Sequence, residues 1–355
     1  MDEIIFEIRE AEKGGYTAKA IGESIFTEAE TLSELKLKIR EAVKRHFDEG
    51  KVPKRILLRT IRDEELEIDE RFAGQLFKYR DFKKTPEWRN KPRGRYRALI
   101  QYGLRILTHN ELFFSAPSNF NDPFDCKLPI PFQNGSNQDK KKFICDMLEA
   151  DDKSKVEVEN KANRIIQNPN RDFMKGLEEG YINNTVEYYG VLSLTKRHDE
   201  SLMWSHYADY HKGFVVGFQH NRMEILSKSK LKIYREYVDY KSNIPDWNFY
   251  EVCKNKDVNK LIKNLFLTKS YGWKYEREFR VIVFSLDENG NQTSANVGLR
   301  FDRSSLACVI LGCKILPENR TKIINILKQL SLKIPLYQAR KVQTKFALEF
   351  LEELY

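Results

Sequence analysis

The chain of 355 residues carries 61 Lys and Arg against 52 Asp and Glu, a formal charge of +9, with 41% hydrophobic and 32% charged residues. That balance supplies a sizeable core and a length suited to two domains, and it excludes collagen and coiled-coil classes. No apolar run approaches a membrane span, the opening residues MDEIIFEIRE lack the apolar heart of a signal peptide, and five cysteines at irregular spacing without a CxxC pair argue against a disulfide framework or zinc ribbon, so a reduced, cytoplasmic protein is expected. The first 68 residues are net acidic and the remainder net basic, an asymmetry that fits an internal partner or a nucleic-acid face.

In chain order, Ile4–Glu10 alternates apolar and polar residues and runs into Gly14-Gly15, after which Tyr16–Gly22 alternates again, which predicts a β-hairpin. Thr31-Leu-Ser-Glu34 has the spacing of a capping box, and Leu35, Ile39, Ala42, Val43, His46 and Phe47 recur at helical spacing as far as Glu49-Gly50. Pro53 stops the helix, and Arg55–Ile61 reads as a third strand. The ββαβ unit of residues 1–62 leaves one sheet face bare, and so small a domain gains stability by pairing with a copy of itself, so a homo-oligomer through residues 1–62 is expected. The run GGYTAKAIGESIFTEAETLSELKLKIREAVKRHF resembles HicB-type antitoxin domains in its Gly-Gly hairpin, short strand and T-L-x-E-L helix start. The resemblance implies oligomerisation and, in toxin–antitoxin pairs, inhibition of a ribonuclease partner.

The acidic stretch from Asp63 to Arg71 reads as the linker, residues 63–72, to a second unit, residues 73–355. Strands are expected at Leu76–Arg80, Leu112–Ser115, Val191–Thr195, Phe214–Phe218, Lys232–Tyr240, Phe279–Phe284, Leu299–Phe301, Ala307–Leu311 and Ile334–Tyr337. Helices are expected at Arg97–His109, Asn255–Ser270 and Pro317–Leu330, with a polar helical insertion over 138–189. Strands scattered among helices predict an α+β domain and not a doubly wound parallel sheet.

Four segments of this unit hold more polar and aromatic residues than packing needs: Leu76–Arg80 (LFKYR), Phe114–Asp125 (FSAPSNFNDPFD), Leu202–Ala208 (LMWSHYA) and Lys269–Arg280 (KSYGWKYEREFR). Together they resemble a widespread bacterial family catalogued as a domain of unknown function, number 2971, over about residues 75–340. Glu276 and Glu278 precede an apolar strand, and an extended backbone would put both carboxylates on one face, where such a pair splits into an ionised and a proton-sharing group. A Glu-x-Glu pair entering a strand is similar to the ADP-ribosyltransferases, and an α+β, split-sheet fold is what this likeness implies. It further implies NAD as the bound dinucleotide, Glu278 and Glu276 as catalytic carboxylates, Tyr79 or Arg80 on an early strand, and Ser115 on a middle strand, with Ser193-Leu-Thr195 as the alternative middle element. Cleaving an N-glycosidic bond builds positive charge on the ribose, which a fixed carboxylate in a dry site stabilises, and the pyrophosphate calls for a fork-shaped Arg. Tyr79, Arg80, Asn121, Asp122, Trp204, His206, Tyr207, Lys269 and Trp273 are the candidate dinucleotide-binding residues, the aromatic ones as a wall for nicotinamide.

A plainer reading makes Glu276 and Glu278 partners of Lys274, Arg277, Arg280 or Arg80 in a structural ion network, and makes Asn121–Asp125 a turn. Two other functions compete: a metal-dependent nuclease using Asp122, Asp125, Glu276 and His206, and a non-enzymatic RNA or nucleotide sensor. His206 and His211 are not spaced as metal ligands on one helix face, so no resident metal is expected. The stretch 83–97 interleaves Lys83, Lys84, Arg89, Lys91, Arg93, Arg95 and Arg97 with Trp88 and Tyr96, the composition of a nucleic-acid-binding segment or of a solvated loop. Fusion of an antitoxin-like domain to this unit implies an effector of bacterial antiphage or toxin–antitoxin defence that modifies a nucleic-acid or protein acceptor.

Overall fold

The computed structural model of the chain describes residues 3–11, 14–48, 50–60, 69–83, 85–86, 99–128, 135–148, 154–168, 176, 180, 186–226, 231–284 and 295–355. Its contacts fall into two units, Met1–Arg71 and Phe72–Tyr355.

The first unit comprises β1 (Glu3–Glu10), β2 (Tyr16–Ala20), β3 (Phe26–Ala29), α1 (Leu32–His46) and β4 (Arg55–Thr60). β1 pairs antiparallel with β2, placing Phe6 opposite Ala20, and parallel with β4, placing Phe6 opposite Leu58. A parallel pair needs a crossover, which α1 supplies. Leu35, Ile39 and Val43 come from one face of α1 and join Ile4, Phe6, Ile8 and Ala18 in the core. The sheet has four strands in the order β3-β2-β1-β4, not the expected three. Phe26–Ala29 is a short edge strand whose Phe26 stays 62% exposed, so no inward alternation betrays it. At the helix start the Thr31 hydroxyl accepts from the Glu34 amide at 3.2 Å. Thr31→Ala removes that cap and is expected to cost about 1 kcal/mol, read as faster amide hydrogen exchange across Leu35–Val43.

The second unit runs through β5 (Gln75–Arg80), β6 (Thr85–Pro86), β7 (Leu99–Ile100), α2 (Tyr102–Thr108), β8 (Glu111–Phe114), α3 (Asn137–Leu148), α4 (Lys155–Gln167) and β9 (Gly190–Thr195). It continues with α5 (Ser201–Tyr207), β10 (Phe214–Gln219), β11 (Ile225–Leu226), β12 (Lys232–Tyr237), β13 (Asp239–Lys241), α6 (Phe249–Asn255), α7 (Val258–Phe266) and β14 (Thr268–Ser270). Last come β15 (Glu278–Phe284), β16 (Val297–Phe301), β17 (Leu306–Leu311), α8 (Pro317–Gln329), β18 (Leu336–Lys341) and β19 (Leu348–Glu353). Eight strands form one mixed sheet in the order β12-β15-β9-β5-β10-β17-β18-β19. The apolar residues of β9, β10, β15 and β17 divide between its two faces, as period-two alternation requires. The α+β expectation is met.

Between β5 and β9 the sheet is held by a single residue pair, Phe77 with Thr195. β5 pairs along its length with β10, and β9 with β15. The sheet therefore opens at its middle, and the candidate site lies there.

Three local expectations need correction. The helix expected over 97–109 spans Tyr102–Thr108, because Leu99–Ile100 pairs with Thr85–Pro86 and a Cβ on Gly103 would meet the Asp81 carbonyl oxygen at 2.3 Å, a contact only glycine allows. The helix expected over 255–270 is two helices and a strand. Lys256 closes α6 in the left-handed region at φ 52°, and Asp257 starts α7 by accepting from the Lys260 amide. The described helices of the 138–189 insertion are built into the core, Phe143, Ile144, Leu148, Val158 and Ala162 packing with Phe249, Tyr250 and Ile282. Among the described residues no helix is long and apolar enough to cross a membrane.

Candidate active site

A cleft of about 450 Å³ occupies the opening between β5 and β9. Lys78 and Arg80 of β5 and Ser193 and Thr195 of β9 border it, together with Asn119, Asn121 and Asp125 of the 117–125 loop, His206 and Tyr207 of α5, and Lys269, Glu276 and Glu278. All four sequence segments thus reach one cavity.

The two glutamates meet by a route different from the one the sequence suggested. Glu276 ends a 3-10 turn (Tyr271–Glu276), Arg277 turns through the left-handed region at φ 41°, and Glu278 opens β15. The carboxylates nonetheless converge on the Lys269 ammonium, Glu276 Oε2 accepting at 2.6 Å and Glu278 Oε2 at 3.1 Å, with Asp125 Oδ2 at 3.2 Å. Arg280, wholly buried, donates through Nε to Glu278 Oε1 at 2.8 Å and through Nη2 to Glu278 Oε2 at 3.0 Å and Asp125 Oδ2 at 2.7 Å. Its Nη1 donates to the Phe266 carbonyl at 2.7 Å, so the fork is fully used. The Tyr207 hydroxyl donates to Glu276 Oε1 at 2.6 Å, and the Ser193 hydroxyl to Glu278. The ion-network reading of these glutamates is therefore correct for Arg280, but the network lines a cavity and is not a surface one.

Three carboxylates face two protein cations, Lys269 and Arg280, so one negative charge is in surplus. Burial opposes the charge on Glu278, yet Arg280 and Lys269 overcome it and hold the carboxyl well below the usual range. Burial and the neighbouring Glu278 push Glu276 upward despite Lys269. Lys269 is opposed by burial but held above the ordinary lysine range by Glu278 and Asp125. The pair thus splits into a firmly ionised Glu278 and a Glu276 that carries the surplus charge and takes up a proton the more readily, as like charges at close range require.

The opposite wall is cationic. Burial and the neighbouring Arg80 bring Lys78 down to about 7, and its Nζ donates to the Ser193 carbonyl at 2.5 Å. Arg80 is brought to about 10 by burial, and its Nε is buried with no hydrogen-bond partner. Neither side chain has a carboxylate partner among the described residues. The loop after α5 sets this wall: a Cβ on Gly213 would meet the Arg80 carbonyl oxygen at 2.1 Å.

Several expected residues fall elsewhere. Ser115 forms a backbone bridge with Val191 and does not border the cleft; Ser193, the alternative, does. Trp204 is fully buried, its indole N–H given to the His198 carbonyl at 2.7 Å and its ring against Tyr79, so it is a core residue and not a wall for a ligand. Tyr79 borders the cleft but donates its hydroxyl to the Arg197 carbonyl. Asp122 is a buried turn residue accepting from the Phe124 amide at 2.9 Å. Trp273 stands behind Lys269, ring centroid 5.1 Å from the ammonium, and His206 meets it edge-on. The four groups of the nuclease reading do not share one point: Asp125 and Glu276 turn onto Lys269, the protein's own cation, while Asp122 is tied into its turn. Among the described residues no group of three or more His, Cys, Asp or Glu is spaced to hold a metal ion. Lys83 is exposed and pairs with Asp209 at 3.3 Å, whereas Lys84, Trp88, Arg89, Lys91, Arg93, Arg95, Tyr96 and Arg97 lie outside the described residues. The residue that sequence reasoning missed is Lys78: it alternates with Phe77 and Tyr79 as any strand residue does, and only the opening of the sheet reveals that its face is a cavity.

Comparison with known proteins separates the two units. The family described as "Protein of unknown function (DUF2971)" matches residues 203–281, which hold α5, Lys269, both glutamates and Arg280. A UPF0150 protein of Archaeoglobus fulgidus is 50% identical over 54 residues, 15% of this chain and 80% of that protein, and one of Thermotoga maritima is 48% identical over 61 residues, 17% and 86%. Through its N-terminal region the chain belongs to the UPF0150 family, which is HicB-like. No solved structure matches the chain.

Proposed function

We propose that the second unit is an ADP-ribosyltransferase-like enzyme that binds NAD and cleaves its bond to nicotinamide, and that the first unit joins copies of the chain within a bacterial defence or toxin-type effector. The observation that carries this reading is the charge layout of the cleft. Lys78 and Arg80, without carboxylate partners, suit the pyrophosphate, and the surplus carboxylate of the Glu276–Glu278 cluster suits the ribose. As the C1′–N bond breaks, its electron pair leaves with nicotinamide and positive charge grows on the ribose, where an ionised carboxylate in a water-poor site lowers the barrier. Glu278, Ser193 and the Lys78–Arg80 pair lie on three neighbouring strands, β15, β9 and β5.

The test is calorimetric titration of NAD into the full chain between about pH 6 and pH 9. A phosphate on Lys78 favours its ammonium form. Below the Lys78 pKa of about 7 that form is already present; above it, binding must take up a proton, so affinity is expected to fall by up to tenfold per pH unit. Lys78→Met should weaken binding at least tenfold and flatten this profile. Absence of binding, or a profile unaltered in the variant, contradicts the reading; turnover abolished by EDTA favours the metal-dependent nuclease instead.

A further inference from the structure

The second unit holds another cavity, of about 680 Å³, that the proposed chemistry does not use. It is bordered by Lys314 in the turn after β17, by Lys341 at the end of β18, and by the 342–347 connection to β19. Arg197 is spent on Asp199 at 2.6 Å, and the Glu200 carboxylate caps α5 by accepting from the Leu202 amide. Lys314 and Lys341 have no carboxylate partner among the described residues. Their charge is felt nearby: beyond the effect of burial, both lysines hold His211, which borders the same cavity, below the usual histidine range. His211 Nδ1 is buried and has no hydrogen-bond partner.

The rim carries an aromatic ring that folding does not explain. Phe346 sits in the β18–β19 connection with a relative exposure of 112%, so its ring stands in solvent at the edge of the cavity. Lys345 stands beside it, and Gln343 and Thr344 add hydrogen-bonding groups. Lys314 and Lys341, able to track a backbone, and an exposed ring with a free face are the two components of a sequence-tolerant site for single-stranded nucleic acid. A protein partner would instead be expected to meet a contiguous apolar patch, and here Val342, Ala347 and Leu348 are interspersed with Lys341, Gln343, Thr344 and Lys345.

We propose that this cavity binds single-stranded nucleic acid, with phosphates on Lys314 and Lys341 and a base stacked on Phe346. The site stands independently of NAD cleavage. It abuts the first cleft through α5: Ser201 and His211 border this cavity, whereas Met203, His206 and Tyr207 border the other. Between the two, Asp209, Tyr210 and His211 occupy the left-handed region in succession, at φ 46°, 56° and 68°, a conformation unfavourable for residues other than glycine.

The test is fluorescence anisotropy of a labelled oligouridine of about a dozen nucleotides with the full chain, titrated between about 50 and 200 mM salt. The intact protein should bind with an affinity that falls steeply with salt. Lys314→Glu combined with Lys341→Glu should weaken binding at least tenfold and lessen the log–log salt slope by about 0.7 for each phosphate no longer neutralised. Phe346→Ala, which removes no packing, should weaken it about fivefold to a hundredfold with the slope unchanged. Alanine at Lys91, Arg93 and Arg95 serves as comparison. No binding by the intact chain, unaltered binding by the cavity variants, or loss confined to the comparison variant overturns the proposal. Weakening by the cavity variants upholds it whatever the comparison shows, and NAD titration of the same variants keeps this outcome separate from that of the cleft.

Discussion

Arg280→Ala is expected to destabilise the second unit by about 3–5 kcal/mol, the range for removing one partner of a buried ion pair. Arg280 is wholly buried and gives hydrogen bonds to Glu278, Asp125 and the Phe266 carbonyl. Its loss leaves two carboxylates, each with about 5% or less of its side chain exposed, facing Lys269 alone. Against a typical domain stability of about 5–15 kcal/mol, that is a large fraction. Urea unfolding of the full chain, followed by tryptophan fluorescence, reads it as a lowered midpoint. An unchanged midpoint would mean that the carboxylates turn to solvent and that the cluster does not organise the cleft.

Glu276→Gln is expected to behave oppositely, keeping the fold and losing the chemistry. Gln can accept from Lys269 through its amide oxygen and donate through its amide nitrogen to the Tyr207 oxygen, so the Lys269 contact is kept and the Tyr207 hydroxyl changes from donor to acceptor. Stability should change by less than about 1 kcal/mol. The surplus negative charge disappears, and NAD turnover should fall by about 10²–10³, the scale for removing one preorganised electrostatic group. Steady-state rates with NAD, beside a urea midpoint, separate the two effects. A turnover equal to that of the intact chain removes Glu276 from the reaction.

What the sequence revealed follows from which signals are local. Thr31 and the repeat Leu35–Ile39–Val43 specify α1 because capping and helical periodicity act within a few residues. Phe26–Ala29 escaped because an exposed edge strand of four residues has no buried face to pattern. The four polar–aromatic segments were visible as excess chemistry, and five of their residues, Asp125, Lys269, Glu276, Glu278 and Arg280, do share one cluster. Their pairing was not visible. Asp125 and Arg280 are far apart in sequence and meet only because the 117–125 loop and β15 pack together. Trp204 looked like ligand chemistry because a Trp-Ser-His-Tyr run is unusual in a helix; its burial against Tyr79 is a packing fact that no local pattern contains. Ser115 and Ser193 were equivalent by chain order, and strand register separated them: Ser193 lies opposite Arg280 on β15, whereas Ser115 bridges Val191 at the far end of β9. Lys78 was hidden because a strand lysine is ordinary until its neighbour strand diverges.

Mass spectrometry of NAD incubated with the full chain, alone and beside the Glu276→Gln variant, tests the central claim most directly. Free nicotinamide should accumulate with the intact chain and be reduced about 10²–10³-fold with the variant. NAD recovered intact in both, under conditions where calorimetry shows it bound, would contradict a glycosidic role for this cleft.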